Sequence, residues 1–216
     1  MPQKRQNVTA SEAVENAVPV TENRPETTEN IYFSGFDEQP VYRKLWPSEV
    51  KRVEEHLLRL TPEDRQMRFC GGVSDSRIRE YCAEINWTTT TLLGCFVGGE
   101  LRGVACVVVL TEGFNFAAEI AFSVEAAYQN RGIGTLLVKK SISIARNRYV
   151  GTAYLFCLRE NGKMRHIAGK FEAEFSYIGA DIEGKVSPHW PSYLSYFEEA
   201  EMDGHTIWQA AFPTEQ

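Results

Sequence analysis

The stretch from Ala117 to Tyr149 constrains this chain most, because its hydrophobic period switches from strand to helix across a glycine loop. In "AAEIAFSV" (117–124) Ile120, Phe122 and Val124 alternate with Glu119, Ala121 and Ser123, the period of a strand with one buried face. From Gly134 onward Val138, Ile142, Ala145 and Tyr149 recur at helical spacing, while Lys139, Lys140, Arg146 and Arg148 supply polar positions. Between them lies "EAAYQNRGIG" (125–134). A strand, a glycine loop and a helix in that order present unpaired backbone N–H groups and the positive end of a helix dipole to an anion. Gly132 and Gly134 lack a Cβ, so anionic oxygens can approach the main chain, and Arg131 adds charge beside the Gln129 amide. A tight turn at positive φ uses the same glycines, and Gly-x-Gly alone does not separate the two uses.

Spacing argues against two nucleotide motifs. In "GIGTLLVKKS" the lysines fall beyond the first helical turn, where a Walker loop needs GxxxxGK[ST]. Leu137 stands where a dinucleotide loop needs its third glycine, and the motif lies in the second half of the chain.

The remaining pattern is mixed α/β. A strand is expected at 41–46, and Pro47 opens a helix carrying Val50, Val53, Leu57 and Leu60. Two further helices are expected near 62–70 and 75–86, and Gly98-Gly99 splits 91–110 into a hairpin. After the long helix come a strand at 152–158, a helix at 161–171 and a glycine-interrupted strand region at 175–186. The chain is expected to close with a loop at His189-Trp190-Pro191 and a short helix stopped by Gly204. Residues 1–38 hold few large apolar side chains and read as a disordered tail, leaving 39–216 as one domain.

Charge and composition exclude several classes. A net charge of −6 without a long basic run does not fit a general nucleic-acid binder. No apolar run reaches the ~18–20 residues of a membrane span, and the amino terminus lacks an apolar leader core. The 5 cysteines are odd in number, and Cys70, Cys82, Cys95, Cys106 and Cys157 show no CxxC pair, so reduced thiols in a cytoplasmic protein are expected, with no metal site.

With these residues in view, "AAEIAFSVEAAYQNRGIGTLL" resembles the signature of the GNAT superfamily of acyl-CoA-dependent N-acyltransferases, Gln/Arg-x-x-Gly-x-Gly/Ala after a strand. "ENGKMRHIAGKFEAEF" (160–175) is similar to the family's next motif, and the likeness spans about 41–186. "LTPEDRQMRFCGG" (60–72) resembles a segment of the GNAT domains of bacterial protein-lysine acetyltransferases. The resemblance implies an α/β (α+β) fold whose central, mostly antiparallel mixed sheet is flanked by helices and splays open to hold acyl-CoA. It implies that Gln129, Asn130, Arg131, Gly132, Ile133, Gly134 and Thr135 form the pyrophosphate loop, and that backbone at Val124 and Ala126 pairs with the pantetheine arm. The thioester would lie between the strand ending near Val124 and the strand at 153–158.

A primary ammonium must lose a proton before it attacks a thioester. By the same resemblance Glu119 is the expected base, and a solvent-facing strand glutamate is the rival reading. Where relatives carry a tyrosine as general acid this chain has Ala168, with His166 as a substitute. Asn161 either contacts the cosubstrate or caps its helix. Two residues look inserted around Glu172–Glu174. Glu100, Glu112, Glu119 and Glu125 near the expected cleft suit a cationic amine, either a protein lysine or a small molecule. The expected function is acetyl transfer from acetyl-CoA to such an amine by direct attack in a ternary complex. A non-catalytic acyl-CoA sensor is the alternative, and a homodimer is left open.

Overall fold

A computed structural model of the chain describes residues 39–112, 115–179 and 181–211. The tail read at 1–38 lies outside the described residues.

Strand β1 (Val41–Lys44) leads through a 3-10 turn at Pro47–Glu49 into α1 (Val50–Arg59), followed by α2 (Pro62–Phe69) and α3 (Asp75–Ala83). The starts of α2 and α3 are written locally. Thr61 accepts the Asp64 N–H at 3.1 Å with Pro62 in the first turn, and Ser74 accepts the Arg77 N–H at 3.3 Å. Strands β2 (Thr90–Val97) and β3 (Glu100–Glu112) form a hairpin, with Gly98 at φ 60° and Gly99 at φ 76° making the turn. Then come β4 (Asn115–Val124), α4 (Ile133–Asn147), β5 (Thr152–Leu158), α5 (Gly162–Gly169), β6 (Glu174–Ile178), β7 (Asp181–Val186) and α6 (Tyr193–Ala211).

The strands form one seven-stranded sheet in the order β1-β2-β3-β4-β5-β7-β6. Every neighbouring pair is antiparallel except β4–β5. Alternation along β3 sorts its side chains between two cores. Ala105 and Val107 join Ile120, Leu155, Leu137 and Val138 on the α4 face. Val104 and Cys106 join Leu92, Val53, Leu57 and Ile78 on the face covered by α1 and α3.

The one parallel pairing is short: Ala117↔Thr152, Ala118↔Ala153 and Glu119↔Tyr154. Past that point β4 stays on β3 up to Gly103↔Val124, while β5 stays on β7 up to Leu158↔Asp181. The sheet therefore splits into a V with its vertex at Glu119 and Tyr154, between the two strands where the sequence led us to expect it.

The carboxyl-terminal helix departs from expectation. Gly204 does not stop it, and α6 runs on to Ala211. A glycine inside a helix costs ~1 kcal/mol relative to alanine. Here packing and polar contacts outweigh that cost: Met202 is buried against the α4-face core, and the Thr206 hydroxyl donates to the Lys44 carbonyl at 3.1 Å. Lys44 pairs with Glu199 at 2.6 Å and with Asp203 at 2.8 Å, tying α6 to β1.

All five cysteines are free thiols and four of them are buried. Burial pushes Cys95 up to about 12 and Cys82 up to about 11, so these thiols stay protonated and inert. Among the described residues no helix is long and apolar enough to cross a membrane, and no cluster of three metal-ligating side chains occurs.

Candidate functional site

A cleft of about 570 Å³ opens from the V. One wall is the free end of β4, from Ala121 to Val124, and another is the loop leading into α4. Helix α2 supplies Glu63, Asp64 and Arg68, and the far side is Phe156 of β5 with residues of α5.

The loop into α4 turns through left-handed backbone. Asn130 lies at φ 60° and Gly132 at φ 83°, both left-handed. Gly132 is the N-cap of α4 and offers no side chain to the first turn, so the N–H groups of Ile133, Gly134 and Thr135 precede the first α-helical bond, Leu136 N–H to Gly132 O at 3.1 Å. Gly132, Gly134 and Thr135 all border the cleft. A Cβ on Gly134 would meet Ile167 at 3.1 Å and Phe122 at 3.2 Å, so the glycine lets α4 settle against β4 and α5. Ile133 is buried and anchors the turn from behind, and Arg131 is exposed at the loop.

Gln129 has a structural task. Its Nε2 donates to the Val124 carbonyl and to Asp64 Oδ1, each at 2.9 Å, and its Oε1 accepts from Lys163 Nζ at 2.7 Å. One side chain thus ties the loop to β4, α2 and α5. Extended backbone ends at Val124, and Ala126 opens a 3-10 turn whose carbonyl accepts the Gln129 N–H at 3.3 Å.

Glu119 is half-buried at the vertex. It shares a face with Ala121 and Ser123, and the cleft wall begins at Ala121. Asn161 caps α5, accepting the Met164 N–H at 3.0 Å, while also bordering the cleft. Ala168 is buried, and His166 is exposed along the cleft.

Two glutamates read as facing the cleft are engaged elsewhere. Glu100 pairs with Arg102 at 2.9 Å. Glu125 is buried and accepts from Arg59 Nε at 2.8 Å, Arg102 at 3.0 Å and the His56 ring at 3.2 Å. The side chain of Glu112 lies outside the described residues. The carboxylates that do border the cleft are Glu63, Asp64 and Glu160.

The sequence reading missed His56, which is fully buried in α1 and touches Ser123 Oγ through Nε2 at 2.9 Å. Burial pulls the His56 pKa below its ordinary value and outweighs the favourable Glu125 contact. Burial raises Glu125, but the hydrogen bonds from His56 and Arg59 prevail and hold it below the usual carboxylate range. For both groups the unfolded chain takes up protons at a pH where the folded one does not, so stability falls as pH falls. The loss begins near the unfolded-state value of ~6.5 for histidine and deepens below ~4.5. Unfolding free energies in urea should therefore decline from pH 7 to pH 5, and His56→Gln should flatten that part of the profile. An unchanged slope in the variant would remove His56 as its source.

The description "Acetyltransferase (GNAT) family" matches residues 42–172, more than half of the chain. Curated protein sequences give no match. Among solved structures, the GNAT domain of S. lividans PAT superposes with a TM-score of 0.59 at 18% identity, covering 69% of this chain and 96% of that one. The ribosomal-protein-S18-alanine N-acetyltransferase of Escherichia coli gives 0.56 at 12% identity, covering 72% and 97%. The PaiA N-acetyltransferase of Thermoplasma acidophilum, solved with coenzyme A, gives 0.53 at 17% identity, covering 69% and 99%. At these identities the likeness is one of fold. The split sheet, the open helix terminus at its mouth and the match over residues 42–172 together identify the chain as a member of the GNAT acetyltransferase family.

Proposed function

We propose that the protein transfers an acetyl group from acetyl-CoA to a primary amine, by direct attack while both substrates are bound. The observation that carries this reading is the V between β4 and β5, with the uncapped start of α4 at its mouth. The residues fit the cosubstrate. Left-handed Gly132 and the close-packed Gly134 keep side-chain atoms out of a seat lined by first-turn N–H groups, which is what a pyrophosphate needs. The free edge of β4 offers strand-like backbone to an amide-bearing arm. When bound, acetyl-CoA supplies an activated acyl carbonyl whose C–S bond breaks as the C–N bond forms.

In this reading Glu119 accepts the ammonium proton, and the carboxylates of Glu63, Asp64 and Glu160 favour a cationic acceptor, a protein lysine or a small amine. No tyrosine replaces Ala168, and a thiolate is a stable enough leaving group to depart without one. Five unpaired cysteines fit a cytoplasmic setting. The buried alanine also favours a second reading, an acyl-CoA sensor that binds without turnover.

Acetyl-CoA should raise the unfolding midpoint, by the equivalent of ~2.7 kcal/mol at a hundredfold excess over Kd. NAD and ATP should do much less, and equal protection by ATP would overturn the reading. Thiol release from acetyl-CoA across a panel of amines and lysine peptides then separates enzyme from sensor.

A further inference from the structure

Helix α6 starts at Tyr193, beyond the family match that ends at residue 172, so it lies outside the part of the chain the family shares. Its inner face is accounted for. Ser195, Met202 and Thr206 are buried. Asn147 Nδ2 of α4 donates to the Ser195 carbonyl at 2.9 Å, and the Thr206 hydroxyl holds the helix to β1 through Lys44. The opposite face carries Tyr193, Phe197, Ala200, Gly204, Ile207 and Ala211, alternately four and three residues apart. That is the heptad repeat of a helix that packs along another helix. All six are exposed, Tyr193 at 96%, Phe197 at 72% and Ile207 at 61%, where a solvent-facing helix stripe is ordinarily polar.

Gly204 is a separate observation on the same face. Its φ is not left-handed, and a Cβ there would meet no described atom within 4 Å. Glycine destabilises a helix interior relative to alanine, and nothing among the described residues of the chain requires it at this position. Ala200, one turn earlier, is nearly as small. Together they form a saddle between Phe197 and Ile207 where a second helix axis can approach to ~8 Å.

The stripe is also complementary to itself. Turned end for end about the level of Met202, it sets Tyr193 on Ala211, Phe197 on Ile207 and Ala200 on Gly204 of a second copy, because the members of each pair lie equally far from position 202. Large meets small at both ends, and the smallest residues meet at the centre. A parallel pairing would stack Tyr193 on Tyr193 and Ala211 on Ala211, and would align the two helix dipoles instead of opposing them. The exposed parts of Tyr193, Leu194, Phe197 and Ile207 present ~600 Å² per copy, or ~1,200 Å² for a pair, the lower end of what a stable specific interface buries.

We propose that α6 is a dimerisation helix, packed antiparallel on α6 of a second copy about a two-fold axis level with Met202. None of the residues that border the cleft belongs to α6, so both clefts stay open in the pair. Glu201 is exposed beside the stripe, and the axis brings it near Glu201 of the second copy. These like charges oppose association, so added salt strengthens it.

The test is the oligomeric state of the full chain by sedimentation equilibrium over roughly 1 to 100 μM. Wild type should associate to a dimer within that range. Phe197→Glu should weaken association about a hundredfold or more, with the unfolding midpoint of dilute protein unchanged. Glu201→Gln and raised salt should each strengthen it, and Gly204→Leu should weaken it although leucine is the better helix former. Register is read by mild oxidation, with wild type as the blank because four of its five thiols are buried. Glu201→Cys should form an intermolecular disulfide and Tyr193→Cys should not, since antiparallel copies of position 193 stand ~27 Å apart along the helices. A disulfide at Tyr193→Cys, or association that Phe197→Glu leaves intact, overturns the proposal. Wild type that stays monomeric at the highest concentration also overturns it, and assigns the face to the chain's own residues 1–38 or to a foreign protein. None of these outcomes depends on whether the cleft turns over acetyl-CoA.

Discussion

The Gly132→Glu protein should bind no measurable acetyl-CoA in a calorimeter and release no thiol at any cosubstrate concentration. Two effects act together. A glutamate must adopt φ 83°, a conformation side-chain-bearing residues reach at a cost of ~1–3 kcal/mol, and its carboxylate then occupies the anion seat at the start of α4. Gly132→Asn is the control, since asparagine tolerates left-handed backbone and carries no charge. It should fold like the parent and lose only part of the affinity. If Gly132→Glu binds acetyl-CoA as tightly as wild type, the phosphates do not sit at this helix and the assignment of the cleft falls.

Glu119→Gln should have the opposite signature: acetyl-CoA affinity close to wild type and turnover lower by ~10² to 10⁴-fold, the usual worth of a general base. The glutamine keeps the shape at the vertex of the V and removes the basic oxygen. Raising the pH should recover part of the rate, because hydroxide and a larger fraction of neutral amine substitute for the missing acceptor. Full turnover across pH 6 to 9 would leave Glu119 as a strand residue, and the base would have to be another group.

Local chemistry made much of this molecule readable in advance. Alternation in "AAEIAFSV", helical spacing after Gly134 and the Gly98-Gly99 turn each report a short-range preference, and the elements formed where these lay. What failed to show involved partners distant in the chain. Glu125 reads as one more acid near a cleft until Arg59 and His56 of α1 are brought against it. His56 itself reads as a polar interruption between Val53 and Leu57 of an amphipathic helix, and Ser123 as merely small. A buried histidine announces itself in sequence only by standing beside apolar neighbours, a signal too common to act on alone. Gly204 misled for the same reason, since its stop signal is local and the contacts that override it come from β1 and α4. Asn161 was ambiguous because one carboxamide oxygen serves equally well as a cap or a ligand, and in the folded chain it caps α5 while also bordering the cleft.

The contacts of α6 with β1 also bear on the order of folding. Lys44 and Glu199 are 155 residues apart, and Lys44 and Thr206 are 162 apart. Loops that long close slowly, so the first strand acquires these neighbours only after nearly the whole domain has been synthesised. Until then β1 can pair with β2, yet Lys44 lacks its carboxylates and the α4 core lacks Met202. The growing chain must wait for α6 before β1 is locked, and until then the α4 core stays open where Met202 will close it.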